Sequence, residues 1–222
     1  MSSNVTYKYI RQNPDIHTYI KNADAAVKAQ GYTEHSFAHV EKVADTVKMI
    51  LEGLGYDERK VELGMIAAYL HDIGNVINRI DHAQSGAVMA FRLLDNLNMP
   101  AEEICDIISA IGNHDEGTGV PVSPMAAALI LADKSDVRRD RVRNPDPASF
   151  DIHDRVNYSV RESRLRISED KTQIELSLII DTHAGSILDF FDIFMKRMQL
   201  CRKAAETLGM TLRLTINGQT IL

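Results

Sequence analysis

The sequence predicts a mainly α protein: a helical bundle over residues 1–143, followed by a small α+β subdomain over 144–222. Three observations predict it. Apolar residues recur at helical spacing from about residue 15 to 137, with the short connections that join packed helices. NPDPASFDIHD, 144–154, then interrupts that period with two prolines and reads as a linker. Beyond it the apolar residues largely alternate one by one, the period of strands.

Pro14-Asp15 opens the first expected helix, which runs to Gln30 and stops at Gly31. In 36–55, Phe37, Val40, Val43, Ala44, Val47 and Ile50/Leu51 form one stripe; Ser36 or Thr33 suits its cap, and Gly53 and Gly55 its end. Asp57 caps a third helix, with Val61, Met65, Ala68 and Tyr69 on one face, that ends at Gly74. Two more helices are expected over 83–97 and 101–113. Pro124 sits in the first turn of another, running through Val137. After the linker, SVRESRLRIS and QIELSLIID read as strands joined by the turn SEDKT. A helix over about 184–208 stops at Gly209, and TLRLTINGQTIL carries the hairpin signal Asn217-Gly218.

The 222 residues suffice for a core without disulfides. No apolar run approaches the roughly 18 residues that span a bilayer. MSSNVTYKYIRQNPD lacks the basic-then-apolar pattern of a leader. Cys105 and Cys201 have no CxxC spacing and read as reduced, core-type thiols. The expectation is a cytoplasmic protein with no membrane partner. A net charge of −6 argues against general nucleic-acid binding, though not against one local anion pocket. A homodimer is expected through edge strands near the C-terminus.

The chemistry-bearing residues sit inside apolar helical frames. His39 lies in FAHVEKVA, His71 and Asp72 in AAYLHDIG, His82 in DHAQSGAVMA, His114 in IISAIGNHDE and Asp133 in AALILADK. A buried carboxylate or imidazole left unpaired costs on the order of several kcal/mol, and convergence on metal satisfies all six at once. Residues 71 and 72 point about 100° apart on a helix, so they reach around one ion, or one of them bridges two. Their place near a helix C-terminus favours a cation. Ala83, Ser85, Gly86 and Ala87 let the next helix approach closely. Four histidines and two carboxylates are too many for one closed tetrahedral site. Shared over two ions, they leave open positions for water and substrate. Such ligation suits Fe, Mn, Zn, Co or Ni better than magnesium alone.

His39, then His71-Asp72 within LHDIG, then Asp133 within ADK resembles the pattern of the HD superfamily of metal-dependent phosphohydrolases, whose domain is a helical bundle. His82 and His114 resemble the two extra histidines of its dinuclear members, including HD-type diadenosine tetraphosphate hydrolases. The resemblance covers roughly residues 30–140. It implies one ion on His39, His71, Asp72 and Asp133, and a second on Asp72, His82 and His114. It further implies a metal-activated hydroxide attacking the phosphorus of a nucleotide or other small phosphate ester or anhydride. One departure is Asn75, where dinuclear relatives often carry a substrate-contacting lysine.

KSDVRRDRVRN, 134–144, is the one basic cluster. Its arginine forks match phosphate oxygens, and an exposed helix end accounts for it equally well. Lys134 and Arg138 are its best substrate-binding candidates. His35 could gate the site or hold phosphate, or be a surface residue at a helix start. Asp115 and Glu116 either orient His114 or are solvated. His17, His153 and His183 read as structural or solvated. Two other classes of function stay open: a di-iron HD-domain oxygenase with the same ligand set, and a metal-stabilised binding or signalling module without turnover.

Overall fold

A computed structural model describes residues 5–222. The first four residues, which the domain and leader readings include, lie outside the described ones. In chain order the elements are α1 (Tyr7–Gln12), α2 (Pro14–Ala29), α3 (Phe37–Leu54), α4 (Glu58–Leu70), α5 (His82–Asn96), α6 (Ala101–Gly112), α7 (Pro124–Ser135), α8 (Ile152–Ser159), β1 (Val160–Ile167), β2 (Gln173–Ile180), α9 (Ile187–Thr207), β3 (Thr211–Ile216) and β4 (Gln219–Thr220). The fold is mainly α with one small sheet, as the sequence predicts.

Side chains set the helix starts. Asn13 accepts from the amides of Asp15 and Ile16, Ser36 from Ala38, Asp57 from Lys60 and Ser123 from Ala126. Each accepts a hydrogen bond that the first turn would otherwise lack. Gly55 closes α3 in the left-handed region, at φ 86°.

Two helices form the centre. In α4, Val61, Leu63, Gly64 and every residue from Ile66 to Leu70 are buried. In α7, Met125 through Ala132 are all buried. A helical stretch apolar all round belongs inside a protein, and the buried parts of both helices end in polar groups: His71-Asp72 after α4, and Asp133-Lys134 in the last turn of α7.

The sheet has the order β1-β2-β3-β4. β1 and β2 are antiparallel, β2 and β3 parallel, β3 and β4 antiparallel. The parallel pair requires a crossover, and α9 supplies it. Asn217 and Gly218, with φ of 50° and 79°, make the last hairpin. Ile174, Leu176, Leu178 and Leu214 from the sheet and Phe190, Phe194 and Met198 from α9 join the same continuous core as the bundle. α9 packs along α7.

Four sequence expectations need correction. α1 precedes the first expected helix; Thr6 caps it, and six residues are too few to show a period. α4 ends at Leu70, not Gly74: His71 is its C-cap, Asp72 follows with φ −98° and ψ 0°, and Ile73–Val76 form a tight 3-10 turn. The linker contains the start of α8: Asp151 caps it by accepting from the Asp154 amide, beyond the reach of the two prolines. Cys105 is exposed, and only Cys201 is a core thiol. Among the described residues no helix is long and apolar enough to cross a membrane.

Gly74 is where the turn after α4 meets α5. A Cβ there would lie 2.0 Å from the His82 carbonyl oxygen and 2.4 Å from the Gly86 nitrogen. A Cβ on Gly86 would in turn lie 3.1 Å from the His71 oxygen. Gly74→Ala is therefore expected to destabilise the fold by about 3 kcal/mol or more. Gly55→Ala, strained in φ but with open space around its Cβ, should cost only about 1 kcal/mol. Urea unfolding of both variants checks the order; equal losses would contradict the close contact.

Candidate metal centre and its cavity

The six residues singled out from the sequence meet at one place. His39, His71 and His82 are buried with Asp72 and His114, and Asp133 is nearly so. His39 Nε2 lies 3.6 Å from Asp72 Oδ2 and 3.3 Å from Asp133 Oδ1. His71 Nε2 lies 3.3 Å from Asp72 Oδ2 and 3.8 Å from Asp133 Oδ1. On the other side of the same carboxylate, Asp72 Oδ1 lies 3.5 Å from His82 Nε2 and 4.0 Å from His114 Nε2.

The backbone sets the ring orientations. Nδ1 of His71 faces Ala68 O at 2.7 Å, that of His82 faces Arg79 O at 3.0 Å, and that of His114 faces Ile111 O at 2.6 Å. In each case the carbonyl belongs to the third residue back along the chain, so a local turn fixes the ring. His39 differs: its Nδ1 meets the Asp136 carboxylate at 2.8 Å. A carbonyl accepts only, so Nδ1 carries the proton on those rings and Nε2 is left with a lone pair in the neutral form.

Among the described residues, Arg79 Nη1, 3.4 Å from His82 Nε2, is the only protein donor near these Nε2 atoms. Those of His39 and His71 are buried without a hydrogen-bond partner. Those of His82 and His114 face each other at 3.2 Å. Burial holds both of these rings below their ordinary pKa, His114 well below. Two neutral rings then oppose lone pairs, which repel unless a cation lies between them. Ring nitrogens on one tetrahedral ion at about 2.1 Å each lie about 3.4 Å apart, close to the separation seen here. Burial alone would also depress His71, yet the Asp72 and Asp133 carboxylates outweigh it and raise its pKa. Their surroundings hold both aspartates well below the ordinary carboxylate range despite burial, so both are ionised. His39 with His71 and Asp72, His71 with His114 and Asp133, and Asp72 with His82 and His114 each form a group able to hold a metal ion.

The cluster forms part of the lining of a cavity of about 290 Å³. Lys134, Arg79, Arg141 and Arg197 supply its positive charge, and His35, Asp154 and Asn157 also line it. Lys134 reaches it but is held by two carboxylates, Asp133 Oδ2 at 2.8 Å and Glu116 Oε2 at 2.6 Å. Arg138 is not among the lining residues; its guanidinium pairs with Asp136, Asp140 and Glu34. His35 donates Nδ1–H to Thr33 O at 2.7 Å, and burial holds its pKa well down. Its Nε2 is then an acceptor, which does not suit a phosphate oxygen. Asp115 lies 4.0 Å from His82 Nε2. Glu116 does not orient His114; it joins Lys134 to Arg197.

The sequence reading missed two supporting residues, Asp136 and Arg79, and the role of a third, Asn75. Asp136 orients His39. Asn75 donates Nδ2–H to Asp72 Oδ1 at 2.9 Å and so aims the central carboxylate rather than facing substrate. Arg79 lies 3.8 Å from the same oxygen. Asp136 and Asn75 each lie three residues beyond a member of the cluster, a spacing that offered a signal. Arg79 had none.

Comparison with known proteins places this geometry. The family model of the HD domain matches residues 36–146. The uncharacterised protein MJ1020 of Methanocaldococcus jannaschii is 25% identical, over 81% of this chain and 77% of its own. A solved structure described as a "predicted HD superfamily hydrolase", from an uncultured Thermotogales bacterium, aligns over 56% of this chain and 67% of its own, at 24% identity and a TM-score of 0.45.

Carboxylates behind ligating histidines typically contribute 10- to 100-fold in metal affinity. Asp136→Asn keeps the size of the side chain and removes its charge from His39. It should weaken Mn²⁺ or Co²⁺ binding by about tenfold or more in a calorimetric titration. Unchanged affinity would contradict the role given to Asp136.

Proposed function

The chain belongs to the HD-domain family, and on that premise we propose that it is a metal-dependent phosphohydrolase acting on a nucleotide or another small phosphate ester or anhydride. The observation that carries this reading is the division of Asp72. Its Oδ2 faces His39 and His71, and its Oδ1 faces His82 and His114. The residues present fit two divalent transition-metal ions, Fe, Mn, Zn, Co or Ni. His39, His71, Asp72 and Asp133 would hold one, and Asp72, His82 and His114 the other. A bound ion pair lowers the pKa of water toward neutrality and neutralises charge on a phosphoryl group.

The chain's own groups do the rest. Asp72 is the shared carboxylate, and Asn75 keeps its Oδ1 aimed at the His82–His114 side. Asp133 closes the first set, and Lys134 beside it offsets its charge and that of Glu116. Lys134 thus acts on the carboxylates first, and on substrate only through its place in the cavity wall. Arg138, tied to Asp136, helps position the carboxylate behind His39. The arginines that line the cavity beside the aspartates, Arg79 and Arg197 above all, favour a phosphate substrate over molecular oxygen, which has no charge to recognise, and a volume near 290 Å³ suits a small one.

Asp72→Ala removes the group common to both sets. It should reduce bound ion by more than half and lower kcat/KM on the best phosphate ester by roughly 10³-fold, equivalent to about 4 kcal/mol of transition-state stabilisation. Elemental analysis with a phosphate-release assay in Mn²⁺, Fe²⁺ or Co²⁺ reads both. No phosphate or nucleotide released by the wild-type chain from a broad panel of esters and anhydrides would overturn the reading.

A further inference from the structure

Residues 147–222 lie beyond the span matched by the family model, yet they reach the cavity. Asp151, His153, Asp154, Asn157 and Arg197 all line it. Of these, Arg197 is the one cation. It stands on the apolar stripe of α9, three residues after Phe194 and four before Cys201, both buried. A charge on such a stripe needs a reason.

Among the four cavity cations, hydrogen bonds divide the candidates. Arg141 donates Nε and Nη2 to Glu34 O and Nη1 to Asp136 O, so all three nitrogens are engaged with backbone. Lys134 is held between two carboxylates. Arg79 has Nη1 on Asn75 Oδ1 at 3.2 Å, beside His82. Arg197 donates Nε to Glu116 Oε1 at 2.8 Å, its one hydrogen bond among the described residues. Its guanidinium carbon lies 4.7 Å from the centroid of the Phe194 ring, which braces it. The side chain is 24% exposed and lines the cavity. An arginine fixed at Nε and stacked on one face presents its two terminal nitrogens as a fork, the geometry that matches two oxygens of a phosphate.

We propose that Arg197 binds the phosphoryl group of the substrate, and that the C-terminal sheet and α9 serve to deliver it. The inference rests on the phosphohydrolase reading above and names the residue that recognises the anion. It assigns a purpose to the crossover: β2 and β3 clamp the two ends of α9, α9 packs on α7, and Arg197 arrives next to Glu116 and Lys134, which adjoin Asp133. The bundle alone would supply ligands for metal and only Arg79 as a cation with nitrogens to offer.

The test uses the full chain loaded with Mn²⁺ and inorganic phosphate as the probe. Arg197→Ala and Arg197→Lys are compared with wild type and with Lys196→Ala, an exposed neighbour on α9. Calorimetry gives phosphate affinity, steady-state kinetics separates kcat from KM, and elemental analysis gives ion content. Arg197→Ala should weaken phosphate binding and lower kcat/KM by about 10- to 100-fold, with ion content unchanged. Arg197→Lys keeps the charge and loses the fork, and should recover only part of both. Lys196→Ala should match wild type. A folded Arg197→Lys or Arg197→Ala variant with wild-type phosphate affinity and kcat/KM overturns the proposal. So does a loss that follows ion content, because the residue would then be structural. If wild type hydrolyses nothing, the enzymatic reading fails on its own, and the phosphate titration still decides whether Arg197 holds an anion.

Discussion

Four imidazole nitrogens and two carboxylates share a buried volume with too few protein donors to satisfy them all, and that constraint organises the molecule. Each Nδ1 is committed to a carbonyl or to Asp136, so each Nε2 points inward with a lone pair. Leaving such groups buried and unsatisfied costs about 1–3 kcal/mol each, a large share of the stability of an ordinary domain. A cation reverses the sign of that cost. Ion binding and stability of the bundle are therefore linked, because an ion that binds the folded cluster stabilises it.

The rest follows from holding that cluster in register. The central helices, α4 and α7, end at it, so its acidic groups stand at the ends of well-buried helices. The turn through Gly74 lets α5 come close enough for His82 to face the ligands after α4. Asp72 occupies the junction between helix and turn, a backbone state outside both, and from there its two oxygens reach opposite sides. The C-terminal sheet supplies none of the six clustered residues, though it shares the bundle's core and α9 packs along α7. That helix brings one more cation, Arg197, to the cavity wall.

Much of this was legible from residue order. Polar residues set in apolar frames marked His39, His71, Asp72, His82, His114 and Asp133, because burial of such groups demands a partner. Small residues after His82 forecast the close helix approach. What escaped was of two kinds. Short elements such as α1 and α8 carry too few residues for a period, and in α8 the prolines just upstream masked the cap at Asp151. Positions defined only by long-range packing left no local sign. Arg138 and Lys134 are neighbours of Asp133 in sequence, yet Arg138 turns to Asp136 and Asp140. Arg197, sixty-odd residues away, faces the cavity, and nothing but a charge on an apolar stripe hinted at it.

The central claim is a pair of ions shared across one carboxylate. Anomalous diffraction from crystals of the Mn²⁺- or Co²⁺-loaded chain measures it directly. The account predicts two peaks about 3.5–4 Å apart, one beside His39 and His71, the other beside His82 and His114, with Asp72 between them. A map without peaks at these residues, or with a single ion closed off by four protein ligands, would contradict it.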